Sequence, residues 1–553
     1  MTLSDLGARD GHTAHLDTFV RDHLPAPEDW PVLECFGPLR LEYPRQLNAA
    51  VELVDRHVER GNGQRRAIFA NGEWLSYANL QQWSNGIAAA LVQDLRVQPG
   101  NRVLLRGYNS PWMIAAWLGV LKAGAVVVAT MPMLRARELS HLLERAAVSV
   151  ALCDVRLAEE MQRAATAHVR VAYEDPRNTA DSLGGLAARY SGEFRSVDTA
   201  ADDPCLIAFT SGTTGTPKGA VHTHRDILAI CDTFSQHLLS PVADDVFTGS
   251  PPLAFTYGLG GLLTFPFRAG AATVLVETVT PAAMLDCMQQ AGVTALFTSP
   301  TMYRAMLDLL RERPVPDSLR VCVSAGEPLP LATFEAWREA TGRSIVDGIG
   351  STEMLHIFIS ASGSDIVPGA TGKVVPGYEA RILDDSGKPV SDGKIGRLAV
   401  RGPTGCRYLA DPDRQRQYVR DGWNFTGDAY IRDARGYFWF QARADDMIIS
   451  SGYNIAGPEI ENVLLEHPKV KECGVVAAPD PARGHVVKAY IVLRDAADAT
   501  PATVEELQNF VKSEIAPYKY PRSIEFVDSL PRTETGKLQR FKLRQVAAAD
   551  VRD

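Results

Sequence analysis

The 553-residue chain has no cysteines spaced as C-x-x-C, and its eight cysteines are scattered. The sequence therefore shows no zinc-site pattern and no disulfide framework, and we expect reduced, intracellular thiols. The chain also lacks an excess of positive charge, because its formal net charge is −9. This balance excludes a general attraction to nucleic acid or acidic membranes, so any anionic nucleotide must be bound by local basic groups.

Long hydrophobic runs and targeting segments are missing as well. The first residues, Met1–Asp5, show no basic segment followed by an apolar core, which is the pattern of a secretory signal. The most apolar region, Met113–Met133, is interrupted by Gly119, Lys122 and Gly124. We interpret it as a buried helix followed by a strand and not as a membrane span. The prediction is a cytoplasmic protein.

The composition is that of a globular enzyme, with 46% hydrophobic and 22% charged residues. The length exceeds what one ordinary core accommodates, so two or more domains are expected. Strand-like Val103–Leu105 precedes the helix-like Trp112–Leu121, and strand-like Val126–Val128 follows it. Because such strand–helix–strand units repeat along the chain, we predict an α/β fold with a large, multi-layer N-terminal domain of parallel layers.

The pattern changes near residue 440. A charged joint, Arg443–Asp446, separates two apolar strand candidates, and Gly457-Pro458 then opens a helix with proline at its favoured first position. Further on, strand candidates Val486–Leu493 and Ile524–Val527 flank the amphipathic Val504–Ile515. We therefore predict an N-terminal domain over residues 1–444 and a small α+β C-terminal domain over residues 445–553.

A loop rich in glycine, serine and threonine, Thr210–Gly219, follows the apolar strand candidate Cys205–Phe209. Glycines let its backbone approach a ligand closely, while hydroxyl and backbone N–H groups can donate to phosphate oxygens and Lys218 adds charge. The loop is not a Walker A motif, because Pro217 and Gly219 replace the residues that this motif requires on either side of the lysine. A polar surface turn is the alternative reading of the loop alone.

The loop does not stand alone, because five more segments follow in order: Ser324–Pro328, Gly350–Glu353, Thr426–Asp428, Arg443–Gly452 and Pro531–Lys537. Together they resemble the signature motifs of the adenylate-forming superfamily of acyl-CoA synthetases, stand-alone adenylation domains and luciferases. The resemblance covers essentially the whole chain. It implies ATP, Mg²⁺ and coenzyme A as ligands, and a mobile C-terminal lid domain that serves two half-reactions in two orientations.

The resemblance implies a nucleotide site residue by residue. Glu353 matches the magnesium ligand, Thr352 a phosphate contact, Asp347 the adenine-amino acceptor and Asp428 the ribose acceptor. The sequence departs from the pattern at Ile349, where a stacking tyrosine is usual. The full set implied for ATP and AMP is Thr210, Ser211, Gly212, Thr213, Thr214, Gly215, Lys218, Gly326, Glu327, Pro328, Asp347, Gly348, Ile349, Gly350, Ser351, Asp428 and Arg443.

The resemblance also assigns the C-terminal motifs. Lys537 matches the catalytic lysine that bridges carboxylate and phosphate during adenylation, a task that suits a compact ammonium on a long stem. Asp445 matches the hinge between the domains. The residues implied for coenzyme A are Ser451, Gly452, Tyr453 and Arg483, although a surface salt bridge is an equal reading of Arg483.

The acyl-binding segments look like those of benzoate–CoA ligases, and Ala129–Leu139 is similar to 2-aminobenzoate–CoA ligases. Aromatic and apolar side chains could clamp a planar ring, and His356 could hydrogen-bond a ring substituent or the carboxylate. The alternative is that the aromatic residues are core and His356 is a satisfied buried histidine. The residues implied for the acid are Phe255, Tyr257, Gly258, Ser299, Ala325, His356 and Ile357.

The resulting prediction is an aryl acid–CoA ligase, which converts a small aromatic carboxylic acid, ATP and CoA to AMP, pyrophosphate and an aroyl-CoA. Three alternatives stay open: a CoA ligase for non-aromatic acids, a stand-alone adenylation enzyme that loads a carrier protein, and a catalytically idle nucleotide-binding protein. The presence of Glu353 and Lys537 counts against the last. No nucleic-acid or membrane partner is predicted, and a homodimer is left open.

Overall fold

The computed structural model describes residues 12–175, 179–190, 192–210, 217–384, 386–443, 446–450, 453–480, 484–515, 519–533 and 536–549. Within these ranges the strands form five sheets, of nine, six, five, three and two strands. None of the described helices is long and apolar enough to span a bilayer.

The first large sheet has six strands in the order β6-β5-β3-β4-β7-β8. Its strands are parallel except for the antiparallel pair β7–β8. The predicted strand–helix–strand unit is confirmed here as β3, the helix Pro111–Lys122 and β4. The strands are β3 (Arg102–Arg106), β4 (Val126–Thr130), β5 (Val150–Asp154), β6 (Arg170–Glu174), β7 (Pro204–Thr210) and β8 (Lys218–Thr223).

The second large sheet has nine strands in the order β15-β14-β13-β12-β11-β9-β10-β1-β2. Neighbouring strands from β1 through β13 along this order run parallel, so their carboxyl ends meet at one edge. The strands are β1 (Arg66–Ala70), β2 (Glu73–Ser76), β9 (Val246–Gly249), β10 (Ala272–Val274), β11 (Ala295–Thr298), β12 (Val321–Ser324), β13 (Ile345–Gly350), β14 (Ile357–Ser360) and β15 (Lys373–Val374).

Both large sheets are buried on two faces. Val103 and Leu105 of β3 belong to a core shared with Phe297 and Val323 of the nine-stranded sheet, whereas Leu104 packs into a separate cluster on the other face. Alternate residues of a strand point to opposite faces, so continuous apolar runs are what a doubly covered sheet requires. The predicted α/β class with a large layered N-terminal domain and a small C-terminal domain is confirmed.

A five-stranded antiparallel sheet completes the N-terminal part. Its strands are β16 (Glu379–Leu383), β17 (Gly396–Arg401), β18 (Val419–Arg420), β19 (Trp423–Arg432) and β20 (Phe438–Arg443). The strand candidate before the charged joint is thus β20. The predicted boundary between residues 444 and 445 falls outside the described residues and stays a prediction.

The C-terminal part contains β21 (Ile448–Ser450), β22 (Tyr453–Ile455), β23 (Val470–Asp480), β24 (Gly484–Leu493) and β25 (Ser523–Phe526). It has its own core, built around Ile460 and Leu464 of one helix and Leu507 of another. The helix predicted to open at Gly457-Pro458 is confirmed as Gly457–Glu466.

The helices connect these strands in the order expected for layered α/β units. They are α1 (Phe19–Asp22), α2 (Tyr77–Gln93), α3 (Pro111–Lys122), α4 (Ala136–Arg145), α5 (Ala158–Ala164), α6 (Leu183–Ala188), α7 (His224–Ile230), α8 (Thr256–Leu259), α9 (Phe265–Ala269), α10 (Pro281–Ala291), α11 (Pro300–Leu307), α12 (Leu331–Thr341), α13 (Pro412–Tyr418), α14 (Gly457–Glu466), α15 (Pro501–Glu514) and α16 (Arg540–Ala549).

Candidate active site

The site lies where the carboxyl ends of β9, β11, β12 and β13 meet. In parallel sheets this edge is the usual place for a ligand. The segments that follow these strands carry twelve of the predicted residues, which are Phe255, Tyr257 and Gly258 after β9, Ser299 after β11, Ala325, Gly326, Glu327 and Pro328 after β12, and Ser351, Thr352, Glu353 and His356 after β13. The fold therefore gathers four predicted segments along one edge.

The glycine-rich loop connects the antiparallel strands β7 and β8, in which Thr210 pairs with Lys218. The loop residues Ser211, Gly212, Thr213, Thr214 and Gly215 lie outside the described residues, so their phosphate role stays a prediction. The Lys218 ammonium lies 5.8 Å from the centre of the Tyr408 ring. Burial lowers the pKa of Lys218, as does Arg414, while the nearby Glu353 carboxylate opposes both effects. This cation thus feels the charge of the predicted metal ligand.

The segment after β13 is held by residues from distant parts of the chain. The Tyr408 hydroxyl donates to Glu353 Oε1 at 2.6 Å, and His222 Nε2 lies 2.8 Å from the Thr352 carbonyl oxygen. Ser351 Oγ accepts from the backbone N–H of Met354 at 3.2 Å. The Glu353 carboxylate is therefore oriented by a fixed hydrogen bond before any ligand arrives.

Tyr408 is a site residue that sequence reasoning missed. It follows β17 in the chain, 55 positions after Glu353, and a bridge between Ala220 and Tyr408 sets it beside β8. No spacing in the sequence relates it to Glu353, so only the sheet arrangement could reveal the contact.

Asp347 lies on β13 and is half-buried, and its Oδ1 has no hydrogen-bond partner within the described part of the chain. Burial raises the pKa of Asp347 to about 8, and a hydrogen bond from the Gly348 backbone opposes the shift only in part. An unsatisfied buried acceptor costs free energy unless a ligand supplies a donor. Gly350 is exposed at the end of the same strand, and Ile349 packs against the central core.

The raised pKa of Asp347 predicts a pH-dependent stability. In the unfolded chain this carboxyl ionises near pH 3.9, whereas in the folded protein it ionises at about pH 8. The unfolded state therefore releases the proton first, and the contribution of Asp347 to stability falls as the pH rises through this window. We expect Asp347→Asn, which cannot ionise, to become progressively more stable than wild type between pH 5 and pH 8. Thermal unfolding of both proteins checks this, and a constant difference would contradict it.

Asp428 and Arg443 are cross-strand neighbours on β19 and β20. Arg443 Nη1 donates to Asp428 Oδ1 and to the Thr426 carbonyl oxygen, each at 3.2 Å. Burial raises the pKa of Asp428, and the Arg443 guanidinium is the strongest opposing influence. The two residues implied for ribose and phosphate are thus brought together as one charged pair.

The C-terminal part brings the side chain of Lys537, an exposed residue, next to the segment that follows β12. Gly326 has φ +91°, a value that favours glycine, and Lys537 Cε lies 3.6 Å from where a Cβ at this position would be. Desolvation lowers the pKa of Lys537, and Glu327 is the strongest opposing influence, followed by Asp428 and Glu353. Three predicted carboxylates therefore surround one ammonium group that no local sequence pattern places there.

The aromatic side of the site is built around Tyr257. Its hydroxyl donates to the carbonyl oxygens of Thr298 (3.2 Å) and Val323 (3.0 Å), and its ring centre lies 5.8 Å from those of Phe297 and His356. Tyr257 is thus fixed across two adjacent strands.

The remaining residues implied for the acid differ in burial and in the contacts they make. Phe255 is half-buried before α8, Ala325 is buried, and Ser299 caps α11 by accepting from the Met302 N–H. Gly258 lies so close to the Pro252 carbonyl that a Cβ would collide with it.

His356 is buried among aromatic rings. Its ring centre lies 4.5 Å from that of Phe265 and 5.4 Å from that of Phe234, and Gly260 closes over its edge. Neither ring nitrogen makes a well-formed hydrogen bond to a residue in the described ranges. Burial lowers the pKa of His356 to about 3, and the Tyr257 backbone offsets only part of this effect, so the imidazole is neutral at pH 7. The neighbouring Ile357 is buried against Gly348.

Several predicted residues cannot be placed. Asp445, Ser451, Gly452 and Arg483 lie outside the described residues. Tyr453 begins β22, but only its backbone is described. The hinge and the coenzyme A contacts therefore stay predictions.

Comparison with known proteins agrees with this fold. The model of the family described as AMP-binding enzyme matches residues 54–408, and that of the AMP-binding enzyme C-terminal domain matches residues 459–537. The chain belongs to the AMP-binding enzyme family. Within it, the chain is an AMP-forming acid–thiol ligase of the acyl-CoA synthetase type, with ATP and CoA as co-substrates, as predicted.

Similar proteins include ligases named for aromatic acids and one named more broadly. The benzoate–CoA ligase of Thauera aromatica is 36% identical over 523 residues, which cover 92% of this chain and 97% of that protein. The mitochondrial acyl-coenzyme A synthetase ACSM3 of Mus musculus is 31% identical over a region that covers 92% of this chain and 91% of that protein. The solved structure of the anthranilate CoA ligase AuaEII in complex with anthranoyl-AMP has a TM-score of 0.88 at 32% identity, covering 92% of this chain and 99% of that one.

Proposed function

We propose that the chain is an aryl acid–CoA ligase of the benzoate type that acts through an acyl-adenylate, with 2-aminobenzoate as its preferred acid. The observation that carries the proposal is the set of rings around His356 and Tyr257 at the edge where the strands end. Planar aromatic acids pack well against such rings. The similarity to a benzoate–CoA ligase and to an anthranilate CoA ligase supports the same substrate class.

The nucleotide side of the proposal uses the residues described above. The unpartnered Asp347 Oδ1 suits the adenine amino group, and Asp428 suits the ribose hydroxyls. Ile349 then offers adenine an aliphatic surface. Lys218, Thr352 and the loop from Thr210 onward would hold the phosphates.

Glu353 suits Mg²⁺, because a carboxylate is a hard oxygen ligand and this one is already oriented by Tyr408. The ion, when bound, would neutralise negative charge on the phosphates. The protein's own contribution is to hold Glu353 in one orientation through Tyr408, with the Lys218 cation close enough to interact electrostatically. A fixed ligand avoids reorganisation when charge develops.

The chemistry follows from the placement of Lys537. The acid carboxylate attacks the α-phosphorus, pyrophosphate leaves, and the negative charge that is shared between the two groups lies near the ammonium. The CoA thiol then attacks the acyl carbon of the adenylate and releases AMP. Because Lys537 lies beside Gly326 and interacts with Glu327 and Asp428, this orientation of the C-terminal part suits acyl-adenylate formation, the first of the two steps.

We assign the choice between 2-aminobenzoate and benzoate to His356. A neutral imidazole can accept a hydrogen bond from an ortho-amino group, directly or through a water molecule. Its buried nitrogens are unsatisfied in the protein alone, so an acid that supplies a partner gains free energy that an unsubstituted acid cannot. This is the physical reason for preferring 2-aminobenzoate over benzoate.

A CoA ligase for non-aromatic acids is the second candidate. It is favoured by the near full-length similarity to acyl-coenzyme A synthetase ACSM3, whose name specifies no ring. A panel of benzoates and aliphatic acids, assayed for CoA-dependent AMP release, separates the two candidates. A parallel assay with a phosphopantetheinylated carrier protein tests the alternative acceptor, and carrier-dependent release without CoA turnover would replace the CoA ligase assignment.

The same panel tests His356. We expect His356→Ala to reduce the preference for 2-aminobenzoate over benzoate in kcat/KM by about 1–3 kcal/mol, the value of one lost buried partner. The matched control is His237→Ala, which removes an exposed histidine and should leave the ratio unchanged. If wild type handles both acids equally, the amino-group proposal fails. If the preference survives His356→Ala, the acid class stands and the residue assignment does not.

A further inference from the structure

A group of contacts joins the segment after β12 to the segment that precedes α16. Arg532 of the C-terminal part places Nη1 3.8 Å from Glu327 Oε1 and donates to Thr301 Oγ1 at 3.4 Å. The Thr301 hydroxyl in turn donates to Glu327 Oε2 at 2.8 Å. One guanidinium therefore reaches two residues of the N-terminal part.

The same guanidinium is held firmly on its own side. Nη2 donates to Glu472 Oε2 at 2.7 Å, and Nη1 donates to the Gly536 carbonyl oxygen at 2.6 Å. Gly536 immediately precedes Lys537, and a Cβ at Gly536 would lie 3.7 Å from Glu327 Oε1. The planar guanidinium fork is pre-organised, so it can hold Gly536, and with it the neighbouring Lys537, close to Glu327.

The charges around Glu327 also indicate an interaction with the C-terminal part. Its Oε1 is buried and has no hydrogen-bond partner within the described ranges. Burial raises the pKa of Glu327; the hydrogen bond from the Thr301 hydroxyl opposes the shift most, and the cations Arg532, Lys537 and Arg540 follow. All three cations belong to the C-terminal part, so the positive charge that acts on this carboxylate comes from that part, while Thr301 of the N-terminal part supplies a neutral hydrogen bond. Uncompensated charge in a desolvated place is costly.

We propose that Glu327 is a positioning residue that docks the C-terminal part through Arg532 and thereby keeps the Lys537 ammonium in the cleft for adenylation. The resemblance places Glu327 in the segment that lines adenine, and this inference gives its carboxylate a separate task. It does not depend on which acid is activated. It applies to the acyl-adenylate step alone, because only that step requires Lys537 at this place.

The test compares two half-reactions in the full-length enzyme. We expect Arg532→Gln to lower acid-dependent ATP–pyrophosphate exchange about tenfold, mainly in kcat, and to leave thioester formation from supplied acyl-adenylate and CoA within about twofold of wild type. Glu327→Gln should lower the same pyrophosphate exchange by a similar factor. If the two side chains act as a pair, the double variant is no slower than either single variant. Arg532→Lys keeps the charge without the fork and should fall between Arg532→Gln and wild type.

The matched control is Glu472→Gln, which removes the partner of Arg532 within the C-terminal part and leaves Glu327 intact. Hydrogen exchange without ligands gives a readout independent of activity. Amides in residues 530–540 should exchange faster in Glu327→Gln, while those of α15 should not change. The proposal is overturned if Arg532→Gln lowers both half-reactions equally, or if the effects of the two single substitutions on pyrophosphate exchange add up in the double variant. It is also overturned if Glu472→Gln lowers pyrophosphate exchange as much as Glu327→Gln does.

Discussion

Replacing Lys537 by alanine should reduce acyl-adenylate formation by a factor of at least ~10², because the variant loses the positive charge that we propose stabilises the reacting carboxylate and phosphate. Lys537 Cε lies beside Gly326, and the carboxylates of Glu327, Asp428 and Glu353 raise the pKa of Lys537, whereas the Arg443 guanidinium lowers it. Acid-dependent ATP–pyrophosphate exchange measures this step alone.

The variant should retain thioester formation from supplied acyl-adenylate and CoA, because that step does not use the lysine. Lys542→Ala is the matched control, since Lys542 is an exposed lysine a few residues further along the chain. A folded Lys537→Ala protein that loses both half-reactions equally would show that the lysine is not specific to adenylation.

Replacing Glu353 by glutamine should lower adenylation by roughly 10²-fold or more, because the change removes the carboxylate charge proposed for Mg²⁺ binding while preserving size and an acceptor for Tyr408. The expected signature is a higher Mg²⁺ concentration for half-maximal pyrophosphate exchange. Tyr408→Phe makes the complementary change, since it keeps the charge and removes the hydrogen bond that orients it.

Tyr408→Phe should therefore lower adenylation less than Glu353→Gln does, and excess Mg²⁺ should partly restore the adenylation activity of Tyr408→Phe. A direct measurement of Mn²⁺ binding in the presence of ATP separates metal affinity from turnover. If Glu353→Gln binds the metal–nucleotide complex as wild type does, the proposed ligand is wrong.

Local patterns predicted the elements of this protein well. Apolar runs such as Val126–Val128 became buried strands, because a strand covered on both faces must be apolar throughout. Gly457-Pro458 correctly marked a helix start, since proline at the first turn forfeits no hydrogen bond. Six ordered motifs also indicated the family, which the comparisons confirmed. These features are encoded within short segments and are therefore readable from the sequence.

Contacts between segments were not readable in this way. The pairing of Asp428 with Arg443 follows from the register of β19 and β20, and the Tyr408–Glu353 hydrogen bond follows from the neighbourhood of separate sheets. The unsatisfied nitrogens of His356 likewise depend on rings contributed by other helices.

The sequence by itself determined the fold class, the family and the chemical types of the site residues. Only the tertiary structure decided which of them meet. It set Lys537 against Gly326 and Glu327 by docking the C-terminal part through Arg532. The physical reason is that hydrophobic periodicity specifies which face of an element is buried but not which distant charge it will face. That choice is made by sheet order and domain docking.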